Sequence, residues 1–156
     1  MVSKSVLFVC YGNICRSPIA EGFLKKMLED YGGSVKVEVL SAGLNAFGGP
    51  PTREARVVMR ERGIDISSFT SRQLTEELIE KADLVLTMER SHKDRITSWN
   101  LESESKVFTL KEFAGENDDF DIGDPYGRGI VAYEACAKEI ELSLIKALKK
   151  IVDYVG

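Results

Sequence analysis

Cysteine is scarce in this chain, with three residues in 156. An odd and small number does not make a disulfide framework, so a reducing compartment, the cytoplasm, is expected. Long apolar runs are missing too. None approaches the roughly 20 residues that cross a bilayer, which excludes a membrane-spanning helix and argues against a membrane partner. The stretch from Met1 to Val9 is too short in apolar residues for a secretory signal. Cationic excess is absent as well. Lys and Arg number 21 against 25 Asp and Glu, a formal charge of -4, which argues against non-specific nucleic-acid binding but leaves room for a small basic pocket. No repeat, low-complexity stretch or linker divides the chain. Residues 1–156 are therefore expected to form a single domain, as a monomer or weak dimer, large enough to bury a proper core.

What is present is strand alternating with helix, which predicts an α/β fold: a doubly wound, four-stranded parallel sheet with helices on both faces. Val6-Leu7-Phe8-Val9 is a continuous apolar run of the kind found in a central, doubly covered strand. Ser17-Pro18 reads as the start of a helix, with Ser17 as cap, carrying Ile19, Phe23, Leu24 and Met27 inward and ending before Gly32-Gly33. Residues 35–40 alternate like a strand. A helix is expected from about Thr52 to a left-handed cap at Gly63, with Ile64 packing back. Thr75 starts a short helix with Leu74 and Ile79 at staple spacing. Asp83 to Met88 and Lys106 to Leu110 read as the third and fourth strands. Tyr133, Cys136, Ala137, Ile140, Leu144, Leu148 and Ile151 share one face of a final helix from about Ile130 to Val152. In such sheets a ligand sits beyond the carboxyl ends of the strands, where Cys10 falls.

The segment Cys10-Tyr11-Gly12-Asn13-Ile14-Cys15-Arg16-Ser17 joins the first strand to the first helix. A thiol is nucleophilic as thiolate, and both a helix N-terminus and a neighbouring cation favour that form. Five residues between Cys10 and Arg16 are enough backbone to wrap one tetrahedral anion in inward-pointing N–H groups. A guanidinium adds two-pronged phosphate binding, and the helix dipole reinforces it. Gly12 permits close backbone approach, and Asn13 tolerates positive φ. Ser17 is placed to donate to the Cys10 sulfur. Tyr11, Gly12, Asn13, Ile14, Cys15 and Ser17 are thus the candidate phosphate-binding set, and Cys10 and Arg16 are candidate catalytic residues. The bland alternative, a core cysteine beside a surface arginine, does not account for the coincidence of nucleophile, clamp, glycine and helix start. A Walker loop is excluded because the Gly-Lys-Ser/Thr ending is missing. Cys10 and Cys15 have no third ligand nearby, so no metal is expected.

Expelling an alkoxide or phenolate needs a proton donor. His92, the single histidine, lies in Glu89-Arg90-Ser91-His92-Lys93-Asp94, read as a solvated helix face. Four aspartates occupy residues 118–124, but their spacing does not fit an EF-hand loop. Asp124 stands apart among them, since Pro125 biases it to an extended conformation and stiffens its presentation. Phe47 and Tyr126 are candidate aromatic walls for a flat substrate.

Val9-Cys10-Tyr11-Gly12-Asn13-Ile14-Cys15-Arg16-Ser17-Pro18 resembles the signature of the low-molecular-weight protein tyrosine phosphatases. The likeness runs on through Ser41-Ala42-Gly43, Gly63-Ile64-Asp65, Ser71-Arg72-Gln73-Leu74, Ala82-Asp83, Thr87-Met88-Glu89 and Asp124-Pro125-Tyr126. It implies a cofactor-free, metal-independent hydrolase of phosphorylated proteins, with a cysteinyl-phosphate on Cys10. In it Asp124 would be general acid and then base, Ser41 would hydrogen-bond Asn13, and Cys15 would form a reversible disulfide with the nucleophile. Two positions depart from the family's habit. Phe69 stands where a histidine is common, so a supporting hydrogen bond to the loop is expected to be missing. Gly127 stands where many members carry a second aromatic. Phosphotyrosine hydrolysis is the expected activity. Phosphoarginine hydrolysis is the rival, because Gly127 resembles those relatives, whereas Ile14 replaces their usual threonine and is given more weight. Arsenate reduction would need further cysteines between Asp83 and Trp99, where there are none. A non-catalytic phosphate-binding module would not require Cys10 or Asp124, and both are present.

Overall fold

The computed structural model describes residues 4–31, 36–117 and 119–155. Four strands, β1 (Lys4–Cys10), β2 (Val37–Gly43), β3 (Leu84–Thr87) and β4 (Val107–Thr109), form one parallel sheet in the order β2-β1-β3-β4. The helices are α1 (Arg16–Tyr31), α2 (Arg53–Arg60), α3 (Glu76–Lys81), α4 (Arg90–Trp99), α5 (Leu110–Phe113) and α6 (Ile130–Val155), with a 3-10 turn at Leu101–Lys106. This is the expected doubly wound α/β sheet.

The apolar run of β1 explains the layering. Successive side chains of a strand point to opposite faces. Val6, Phe8 and Cys10 therefore enter a core shared with Ile19, Leu24, Met59, Ile140 and Leu144, whereas Leu7 and Val9 enter a second core with Leu74, Ile79 and Ile96. The chain runs from β1 to β2 on one side and then crosses to β3 on the other. The carboxyl end of β1 is thus the switch point at which such sheets bind ligands.

Local signals placed most element ends. Thr52 and Thr75 accept from the amides of Ala55 and Leu78, as N-caps do. Gly63 has φ 76°, and the Ile64 amide closes back onto the Met59 carbonyl at 3.0 Å. Three expectations are corrected. Helix α1 begins at Arg16, so Ser17 lies within the first turn and its hydroxyl is turned to Cys10 instead of capping. Leu110 does not prolong β4; a reciprocal capping box between Thr109 and Glu112 starts α5 there. His92 is not on a solvated face but is 4% exposed. The expected helix end at Gly32-Gly33 and the strand start at Val35 lie outside the described residues.

Candidate active site

Residues 10–16 curl at the end of β1, and the neighbouring segments hold that curl by backbone bonds. The carbonyls of Cys10, Tyr11 and Ile14 accept from the amides of Leu44 (3.1 Å), Asn45 (2.8 Å) and Thr52 (3.0 Å). Asn13 has φ 58°, the one positive φ outside glycine among the described residues. Gly43 ends β2 against the loop. A Cβ there would stand 2.9 Å from the Asn13 nitrogen and the Gly12 carbonyl carbon, so no side chain fits.

This curl aims the Asn13 amide at the Cys10 Sγ (3.2 Å), and the Ser17 Oγ lies 2.9 Å from the same sulfur. The Asn13 side chain pins the loop from within. Its Nδ2 donates to the Oγ of Ser17 (2.7 Å) and of Ser41 (3.0 Å), and its Oδ1 accepts from the Arg72 amide at 2.9 Å. Asn13, Ser17 and Ser41 are wholly buried behind the loop.

Arg16 is 2% exposed, yet its guanidinium is met by polar partners. It donates to the Glu89 carboxylate and to the Ile122 carbonyl (2.7 Å), and its Nη2 lies 3.7 Å from Asp124 Oδ2. Burial works against its charge, but Cys10, the Glu89 hydrogen bond and Asp124 outweigh this and raise its pKa above the ordinary value. The segment that brings Asp124 is stitched down on both sides of Ile122. The Ile122 amide donates to the Met88 carbonyl at the end of β3 (2.8 Å), and its carbonyl receives Arg16. Asp124 Oδ1 accepts from the Tyr126 amide (3.1 Å), which leaves Oδ2 toward Arg16. The other described aspartates of the segment turn elsewhere: Asp119 to the Asp121 amide, and Asp121 to the Arg90 amide.

Cys10, Tyr11, Gly12, Ile14, Cys15, Arg16, Phe47, Asp124 and Tyr126 thus line one cleft of about 390 Å³, together with Asn45 and Gly48. The Tyr11 side chain sits at its rim, where its hydroxyl accepts from the Asn45 side-chain Nδ2 at 3.0 Å. Phe47 is 89% exposed and makes an open wall. Cys15 turns away into the core, its Sγ 3.0 Å from the Tyr133 hydroxyl, and burial pushes its thiol up to about 11. Cys136 is pushed up to about 12 by burial.

Glu89, Ile122 and Asn45 were not singled out from the sequence. Glu89 had the only readable signal: a carboxylate just past β3 falls at the same sheet edge as Cys10. Ile122 contributes main-chain atoms, which no residue type announces.

His92 belongs to the surroundings of Arg16. Its Nε2 is 3.7 Å from Glu89 Oε2, and its Nδ1 has no protein partner. Burial, and then the Arg16 charge, lower its pKa from 6.5 to about 4. Between those values the unfolded chain takes up a proton that the folded chain refuses. Stability from this group is complete above about pH 6.5 and drains away as pH falls toward 4, by about 3 kcal/mol. Urea midpoints between about pH 7 and 4.5 should therefore fall more steeply in the native protein than in His92→Gln. Parallel curves would remove this role.

Fold and site together define a doubly wound α/β protein with a buried thiol inside a curled strand-to-helix loop, and an arginine and a carboxylate lining the same cleft. The model of the family described as low molecular weight phosphotyrosine protein phosphatase matches residues 5–154, and the chain belongs to that family. Among its relatives is the probable low molecular weight protein-tyrosine-phosphatase EpsP of Ralstonia nicotianae, 40% identical over 88% of this chain and 89% of that protein. The protein-arginine-phosphatase of Bacillus subtilis is 42% identical over 93% of this chain and 97% of that protein. The crystal structure of a YwlE mutant from Bacillus subtilis superposes with a TM-score of 0.88 at 40% identity, covering 96% of this chain and 99% of that one.

Proposed function

We propose that this protein hydrolyses phosphotyrosine in proteins through a cysteinyl-phosphate on Cys10, without a metal. The observation that carries the reading is the setting of the Cys10 sulfur. It receives the Asn13 amide and faces the Ser17 hydroxyl at the N-terminus of α1, with Arg16 and Asp124 gathered at the same cleft. In this reading the phosphoryl group is held by the backbone amides of residues 11–15 and by Arg16, so charge spread over its equatorial oxygens meets fixed donors and a helix dipole. Cys10 attacks phosphorus in line with the leaving oxygen, which Asp124 protonates. Asp124 then takes a proton from the water that cleaves the S–P bond. Ser17 supports the departing thiolate, Ser41 supports Asn13, and Phe47 and Tyr126 flank the ring.

Phosphoarginine is the second reading, favoured by the named activity of the Bacillus subtilis relative and by Gly127, which follows Tyr126 with φ 76°. Ile14 weighs against it. It presents hydrocarbon to the cleft where a hydroxyl would assist a guanidino leaving group. Side-by-side turnover of phosphotyrosyl and phosphoarginyl proteins decides between them. Phosphotyrosine should be the better substrate, and Ile14→Thr should shift the ratio toward phosphoarginine by about tenfold. Preferential turnover of phosphoarginine by the native protein would reverse the assignment.

Oxidation belongs to the same proposal. A peroxide would convert Cys10 to a sulfenic acid; Cys15, rotated away from Tyr133, would then attack that sulfur, its thiol proton leaving with the sulfenic hydroxyl as water and a disulfide remaining. A Cys10–Cys15 cross-link found by mass spectrometry after peroxide treatment is the measurement on which this stands. The three free cysteines fit a reducing compartment such as the cytoplasm, and a single domain, monomeric or weakly dimeric, is part of the same proposal.

A further inference from the structure

Glu21 takes no part in the chemistry above, yet it ends the hydrogen-bond chain that begins at the nucleophile. It lies on α1, 9% exposed, and its Oε1 accepts from the Ser41 hydroxyl at 2.8 Å. Its Oε2 holds the Lys25 ammonium at 2.6 Å, at the edge of a separate cleft of about 600 Å³ whose lining shares no residue with that around the thiol.

The hydrogen bonds around Asn13 have a forced direction. A carboxylate only accepts, so the Ser41 proton is committed to Glu21 and Ser41 must face Asn13 as an acceptor. A backbone N–H only donates, so the atom of Asn13 facing the Arg72 amide is its oxygen. The Asn13 nitrogen is then left for both serines, with one hydrogen for each. Ser17, which receives one of them, has its own proton free for the Cys10 sulfur at 2.9 Å. We infer that Glu21 is a positioning residue that, through Ser41 and Asn13, fixes the Ser17 hydroxyl as a donor to the Cys10 thiolate. The inference rests on Cys10 being the nucleophile. It adds a buried anion whose effect on the thiolate is opposite in sign to its electric field.

That opposition makes the test decisive. Acting through space, an anion disfavours a nearby thiolate, so removing it would make Cys10 more reactive. Acting through the chain, it keeps a donor aimed at sulfur, so removing it makes Cys10 less reactive. The buried Ser41 hydroxyl would lose its acceptor and compete for the Asn13 oxygen. Alkylation of Cys10 by iodoacetamide at about pH 6 reads the thiolate without requiring hydrolysis. Glu21→Leu should slow it about fivefold and lower kcat on p-nitrophenyl phosphate by a similar factor, leaving KM within about twofold. In a Ser17→Ala background the same substitution should slow alkylation no further. Ser41→Ala, which leaves Glu21 and its packing in place, should reproduce the loss and covers the case in which Glu21→Leu fails to fold. Unchanged or faster alkylation in Glu21→Leu or Ser41→Ala overturns the inference, as does an equal loss in the Ser17→Ala background. A Cys10→Ser protein that still hydrolyses p-nitrophenyl phosphate would instead overturn the assigned chemistry, a result that alkylation rates cannot mimic.

Discussion

Cys10→Ser is expected to lose turnover of p-nitrophenyl phosphate by about 10⁴-fold or more while keeping its affinity for inorganic phosphate. The two halves of this expectation have different physical sources. Turnover depends on sulfur as nucleophile, and a serine hydroxyl in its place is a far weaker one. Phosphate affinity is expected to depend on the curl of residues 11–16, and most of the bonds that shape the curl do not involve the sulfur. The amides of Leu44, Asn45 and Thr52 hold its carbonyls, and the Asn13 side chain braces it against Ser17, Ser41 and Arg72. Arg16 keeps its partners Glu89 and Ile122 whether residue 10 is Cys or Ser. A serine oxygen can still accept from the Asn13 amide, so no buried donor is orphaned. Phosphate as a competitive inhibitor of the native protein, and its binding to the variant by calorimetry, should give dissociation constants within about threefold. Native-like hydrolysis by the variant, in buffer containing a chelator, would end the assignment of Cys10 as nucleophile.

Asp124→Asn should reduce kcat/KM by about 10²- to 10³-fold for phosphotyrosine, and by clearly less for p-nitrophenyl phosphate. The difference follows from the leaving group. A tyrosyl phenolate is basic and needs its proton in the transition state, whereas p-nitrophenolate is a weak base and departs largely without help. Geometry makes the substitution clean. Asp124 is 47% exposed on its side chain, faces Arg16 across 3.7 Å, and caps its own turn through the Tyr126 amide, a contact that the Asn carbonyl can reproduce. Glu89 remains to neutralise Arg16. The Asp124 side of the lost ion pair is half in solvent and Arg16 keeps Glu89, so unfolding free energy should change by no more than about 1 kcal/mol. Equal losses on the two substrates would assign the carboxylate to binding instead of proton transfer.

The sequence alone determined those features whose physics is local. The loop from Cys10 to Arg16 is made of consecutive residues, so a strand end, a glycine, an αL-tolerant Asn and an Arg at fixed spacing are readable without the rest of the molecule. The same holds for the Thr52 and Thr75 caps, the Gly63 turn and the period of α6, each set by contacts within a few residues. A parallel sheet with β1 central and covered on both faces is legible in the strand-helix alternation and in the apolar run of β1, whereas the order β2-β1-β3-β4 is not. Tertiary structure alone decided who meets whom across the sheet. Arg16 reaches a carboxylate 73 residues away and a carbonyl 106 residues away, and neither pairing leaves a mark on the local pattern. His92 has the neighbours of a surface helix in sequence, and only the packing of α4 beside β3 buries it against Glu89 and Arg16. Glu21 reads as one more charge on an amphipathic helix until Ser41 arrives from β2 to meet it. A candidate nucleophile and the loop around it can be written into a short stretch of chain. The charges that hold its arginine and orient its hydrogen bonds come from different elements, and only the folded chain brings those elements together.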